Sequence, residues 1–142
     1  MSKIPARNEI DPKYTWNAES VYPSPEAWSA EAEQIIADIP AVKAFQGKLG
    51  KNAKSLADGL EAVENLLVPA ERLYIYAGFA YSVDTADQAA AAMADKAGGV
   101  YGQVVAAISF VQPEMLEIGE KNLRQWTQDD PRLTIYEHFV NN

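Results

Sequence analysis

The sequence predicts an all-α fold, an antiparallel helical bundle of about five helices behind an irregular N-terminal strap. Three observations predict it. Apolar residues recur at alternating spacings of four and three along two long stretches, as one face of a helix requires. Cap-forming Ser, Thr and Asp residues stand ahead of those stretches. The period-two alternation that marks a strand is nowhere sustained. Hydrophobic residues make up 48 % of the 142-residue chain and charged residues 23 %, an ordinary globular balance. We read residues 1–142 as a single domain, with the strap over 1–23 and the bundle over 24–142.

Pro5, Pro12 and Pro23 keep the strap irregular, and Trp16, Val21 and Tyr22 are its apolar anchors onto the helices. Ser24-Pro25-Glu26 reads as a helix start, because Ser caps, Pro tolerates the first helical position and Glu suits the positive end. Trp28, Ala32, Ile35, Ile36 and Ile39 then share one face until Pro40, which should end or kink the helix. Gly47 and Gly50 break the pattern after Phe45.

The second helix should open at a capping arrangement, Ser55-Leu56-Ala57-Asp58. Its stripe runs Leu56, Leu60, Val63, Leu67, Ala70, Tyr74, Ala77 and Tyr81, with a kink or break expected near Pro69. Thr85-Ala86-Asp87-Gln88 should open a third helix carrying Met93, Ala97, Val100, Val104, Ala107 and Val111. Gly98, Gly99 and Gly102 each cost a helix about 1 kcal/mol relative to Ala. Close packing is the expected compensation, which would put this helix in the middle of the bundle. Gln112-Pro113 should end it, residues 120–128 form a shorter helix, and Asp130-Pro131 caps a last one through Ile135, Tyr136, Phe139 and Val140.

The composition excludes several functions. Twelve basic against 20 acidic residues give a net charge of −8 with no basic patch, which disfavours nucleic acid and anionic membrane as partners. The longest apolar stretch, Ala86 to Val111, is interrupted by Asp87, Asp95 and Lys96 and reads as a buried helix. No apolar core of a signal peptide follows Met1, and there are no cysteines, which together suit a cytoplasmic protein.

Candidate chemistry is sparse. A zinc-peptidase helix needs two His four residues apart with a Glu beside the first, and His138 is the only histidine. We therefore expect no catalytic, cofactor-binding or metal-binding residue in this chain. Gly98-Gly99-Val100-Tyr101-Gly102 has no preceding strand and no following Lys-Ser or Lys-Thr, so helix packing explains it better than phosphate binding. Glu61, Glu64, Glu71 and Arg72 read as a solvated helix face, and Asp129-Asp130 as a cap. Among the aromatics late in the second helix, Tyr76 and Phe79 point away from the core stripe and are the candidate contacts for a peptide or another domain.

Several short motifs carry a resemblance. Tyr14-Thr15-Trp16-Asn17 and Val21-Tyr22-Pro23-Ser24-Pro25-Glu26-Ala27-Trp28 resemble the opening signature of oligoendopeptidase F, a family of zinc metallopeptidases related to thimet oligopeptidase. Phe45-Gln46-Gly47-Lys48-Leu49 is similar to the family's Phe-x-Gly-Lys-Leu turn. Leu73-Tyr74-Ile75-Tyr76-Ala77 with Asp84-Thr85, then Phe110-Val111-Gln112-Pro113-Glu114, then Tyr136-Glu137-His138-Phe139 follow in the family's order. Asn17 and Ala18 stand where the family has Asp-Leu. The family's His-Glu-x-x-His helix has no counterpart here, so none of its catalytic residues can be carried over.

The resemblance implies an N-terminal helical portion that walls a channel for oligopeptide substrate, with zinc in the full-length parent and none in this chain. The implied partner is the remainder of the parent peptidase, and self-association of the fragment is expected through apolar surface left uncovered. The alternative is a self-contained helical protein- or peptide-interaction module using Tyr76 and Phe79.

Overall fold

The computed structural model describes Pro5 and residues 9–136. The described residues form five α-helices and no strand: α1 (Pro25–Lys43), α2 (Ala53–Val83), α3 (Gln88–Ile108), α4 (Val111–Ile118) and α5 (Glu120–Asp129). The all-α expectation holds. Short 3-10 turns cover Pro12–Tyr14, Ala18–Ser20, Leu49–Lys51 and Pro131–Tyr136.

The caps explain where the helices begin. The Ser24 hydroxyl accepts from the Ala27 N–H at 3.2 Å with Pro25 at the first helical position, as expected for α1. For α2 the cap is Asn52, whose side chain accepts from the Ser55 N–H at 2.9 Å, so the helix starts ahead of the predicted Ser55. For α3 it is Asp87, accepting from Ala89 and Ala90, where Thr85 was expected. Both shifts occur because several capping residues stand close together, and extended backbone such as that of Asn52 decides among them.

Neither internal proline ends its helix. Pro40 sits within α1, which runs on to Lys43, and Pro69 lies inside the continuous α2. The carbonyls they deprive of a donor belong to Ile36 and Asn65, both exposed residues where water can serve instead. At the other end of α3 the prediction was reversed. Phe110 to Pro113 opens α4, and Pro113 falls in its first turn, where helical N–H groups have no partner in any case. The last described segment is 3-10 rather than α, and its Phe139 and Val140 continuation lies outside the described residues.

One hydrophobic cluster runs from Tyr22 to Leu133. Helices α1, α2 and α3 pack pairwise against one another, but α2 also touches α5 and the 3-10 turns at Leu49 and Pro131, so α2 is the central helix and not α3. Its buried residues are Leu56, Ala57, Gly59, Leu60, Val63, Leu66, Ala70, Leu73 and Ala77. Tyr74 and Tyr81, predicted on that stripe, are exposed, and Leu67 is only partly buried. The α3 stripe is closer to expectation, with Ala97, Val100, Val104 and Ala107 buried. The packing expected of Gly98, Gly99 and Gly102 is absent: a Cβ added at any of them would meet nothing within 4 Å.

Close packing instead occurs at Gly59. A Cβ there would lie 2.2 Å from Leu49 Cδ2 and 3.4 Å from the Phe45 ring. Leu49, fully buried, thus plugs a notch that only glycine leaves open in the side of α2.

Candidate functional site

The strap and the last third of α2 meet in an aromatic cluster. Trp16 lies edge-on to Tyr76 at 5.6 Å and to Phe79 at 5.8 Å, while Tyr22 lies edge-on to Tyr76 at 4.9 Å. Tyr22 is buried and Trp16 half-buried, but Val21, expected as a third anchor, is exposed. Tyr76 is consequently half-buried beneath the strap, whereas Phe79 remains 56 % exposed.

A polar link ties the same three elements together. The Tyr22 hydroxyl donates to Glu31 of α1, and Glu31 also takes a hydrogen bond and ion pair from Arg72 of α2. Burial, and next the hydrogen bond to the Glu31 carboxylate, push the Tyr22 phenol up to about 12. Arg72 therefore does more than solvate a helix face, and Trp28 adds a second tie by donating from Nε1 to the Leu73 carbonyl at 3.3 Å. Each of these groups already has a structural partner, and none forms a nucleophile–base pair.

Two further side chains organise the opposite end. The Glu114 carboxylate accepts from the backbone N–H groups of Gly47 and Leu49, the latter at 3.1 Å. Gly47 has φ 76°, a left-handed conformation that glycine adopts without strain, and Leu49 is the plug in the Gly59 notch. The Phe45–Leu49 motif and the Phe110–Glu114 motif, far apart in sequence, are thus two halves of one junction.

Arg132 spans Asp130 at 2.7 Å, Asp58 at 2.9 Å and Glu61 at 3.1 Å, clamping the last 3-10 turn to α2. Lys54 and then Arg132 hold Asp58 below the usual carboxylate range, and Arg132 does the same for Asp130. Spacing gave no signal for either junction, since both join residues remote along the chain. Glu61 and Asp130, read as solvated or capping, belong to this clamp.

Among the described residues no group of three or more His, Cys, Asp or Glu could hold a metal ion. His138 lies outside them. A chain with one histidine and no cysteine does not fit the donor set of the zinc centre that the resemblance implies for the parent. No described helix is long and apolar enough to cross a membrane.

The described residues are mainly helical, and these polar contacts join the strap, the turns and the long helix to one another. Comparison with known proteins shows what the chain is similar to. The chain is 32 % identical to oligopeptidase PepF of Bacillus subtilis over 98 % of its own length and 21 % of the relative's. It is 29 % identical to the group B oligopeptidase PepB of Streptococcus agalactiae over 94 % of the chain and 22 % of that protein. No protein-family model matches.

The fold recurs in the crystal structure of oligoendopeptidase-F from Enterococcus faecium, with a TM-score of 0.77 at 21 % identity over 83 % of this chain and 23 % of that one. It recurs also in a solved structure from Chlamydophila abortus, with a TM-score of 0.83 at 24 % identity over 98 % and 24 % of the two chains. The chain is homologous, along nearly its whole length, to a segment of the oligoendopeptidase F group of peptidases. It spans about a fifth of the length of those relatives.

Proposed function

We propose that this chain is the N-terminal helical scaffold and substrate-channel wall of an oligopeptide-hydrolysing zinc metalloendopeptidase, and is not catalytic by itself. The observation that carries the reading is the match to oligopeptidases over 98 % of this chain but only 21 % of PepF. The helical core and the engaged polar groups support a positioning role. The zinc site and the reacting groups would belong to the part of the enzyme outside this segment, in a cytoplasmic protein.

Two measurements test the reading. The coding sequence beyond Asn142 should continue in frame to a His-Glu-x-x-His. The 142-residue chain should leave fluorogenic oligopeptides uncut with or without added zinc, whereas its fusion to the remaining segment should cleave them. Cleavage by the short chain alone, abolished by a chelator, would overturn the proposal. A stop codon after Asn142 would favour the self-contained interaction module, with exposed Phe79 as its most accessible contact.

A further inference from the structure

Helix α3 carries a second apolar stripe beside its buried one. Ala94, Gly98, Tyr101, Val105 and Ile108 follow at spacings of four and three, contain no charge, and are half-buried or exposed. At one end the stripe opens into a depression formed with Tyr74, Ile75 and Phe79 of α2, which Ser82 and Asp95 also line. At the other it joins a depression of about 680 Å³ walled by Met115 and by Leu116, itself 74 % exposed. Between them Tyr101 stacks on Tyr74 with ring centroids 5.1 Å apart. From Ala94 to Ile108 the stripe is roughly 21 Å long, the length of a helix of about 14 residues.

We propose that this stripe seats an amphipathic helix from the remaining part of a longer peptidase chain. The inference rests on the proposed function and names the surface through which the scaffold holds the rest of the enzyme. The stripe and the depressions at its two ends, together the groove, are long enough for one face of a helix, and Gly98, where an added Cβ would meet nothing within 4 Å, leaves room for two helix axes to approach closely. The occupant follows from two facts. About four fifths of each oligopeptidase relative lies outside the matched segment, so most of the chain that could cover the stripe is elsewhere in such a protein. A second copy, the occupant expected when the fragment stands alone, would compete for the same surface, and the net charge of −8 on each copy weakens that competitor.

The test uses the 142-residue chain and the separately purified PepF of Bacillus subtilis lacking its matched segment. The chain has no cysteine, so Asp38→Cys provides a single dye site on α1 for anisotropy measurements. The chain should bind the PepF portion, and Val105→Asp and Gly98→Leu should each weaken binding about tenfold or more. Ile36→Asp, on an exposed position of α1 outside the groove, should leave it unchanged. Circular dichroism checks each fold, and Leu116→Asp replaces any variant that unfolds.

Binding that none of the groove variants disturbs would overturn the inference while the proposed function stood. Failure of the unmodified chain to bind would overturn it as well, leaving the proposed function to the reading-frame and cleavage tests. Sedimentation showing a dimer dispersed by Val105→Asp, with the PepF portion bound equally by both forms, would assign the groove to a second copy and overturn it.

Discussion

Two glycines inside helices should respond differently to alanine. At Gly99, on an exposed face of α3, an added methyl meets nothing within 4 Å. Only the backbone preference remains, and it favours alanine by about 1 kcal/mol. At Gly59 the same preference applies, but the new Cβ would stand 2.2 Å from Leu49 Cδ2, where ordinary contact begins near 3.4 Å. Leu49 must therefore retreat by more than an ångström, although it is fully buried with the Phe45 ring beside it. Overpacking of this kind costs about 1–3 kcal/mol. Gly59→Ala should thus be neutral to about 2 kcal/mol destabilising, and the two variants should differ by about 1–3 kcal/mol. Urea denaturation followed by circular dichroism measures both, with an unchanged slope required for the comparison. If Gly59→Ala stabilises as much as Gly99→Ala, Leu49 is not seated as described and the notch has no structural role.

Glu114→Ala should destabilise the chain by about 1–2 kcal/mol in the same assay, since it strands the Gly47 and Leu49 N–H groups, whereas Glu114→Gln should lose less. The raised Tyr22 phenol stabilises the fold fully below its ordinary value of 10, and that contribution disappears as pH climbs through about 12. Denaturation midpoints taken across this window should fall for the unmodified chain more steeply than for Tyr22→Phe. Asp58 and Asp130, held below the ordinary carboxylate value of 3.8, contribute above that pH and cease to contribute as pH falls through their lowered values. Arg132→Ala should therefore flatten the acid limb of the stability profile, modestly because the clamp is exposed.

The alternation of four and three makes the long helices legible, but it does not say which neighbouring row completes the buried face of α2 beyond Pro69, because that depends on what packs against it. The row Leu56, Val63, Ala70 and Ala77 stays buried throughout. The row Leu60, Leu67, Tyr74 and Tyr81 rotates out of the core, and Gly59, Leu66 and Leu73 take its place. Tyr74 and Tyr81 fall outside the core despite their spacing, while Phe79, expected away from it, is exposed. Tyr76 is half covered because Trp16 and Tyr22 fold over it. Helix limits near Asn52, Asp87 and Pro113 depended on local backbone angles, which composition does not record. The Glu114 and Arg132 junctions required partners remote in sequence, so no local pattern could announce them.

Helix α2 is a single rod of 31 residues, roughly 46 Å from end to end. Its first turns are gripped by the Leu49 plug and the Arg132 clamp, and its last by Trp16, Tyr22 and the Glu31–Arg72 pair. These two sets of fastenings share no side chain. Lifting the strap would therefore uncover Tyr76 while leaving the Leu49 plug and the Arg132 clamp in place, so the fastenings at either extremity can loosen without releasing the other.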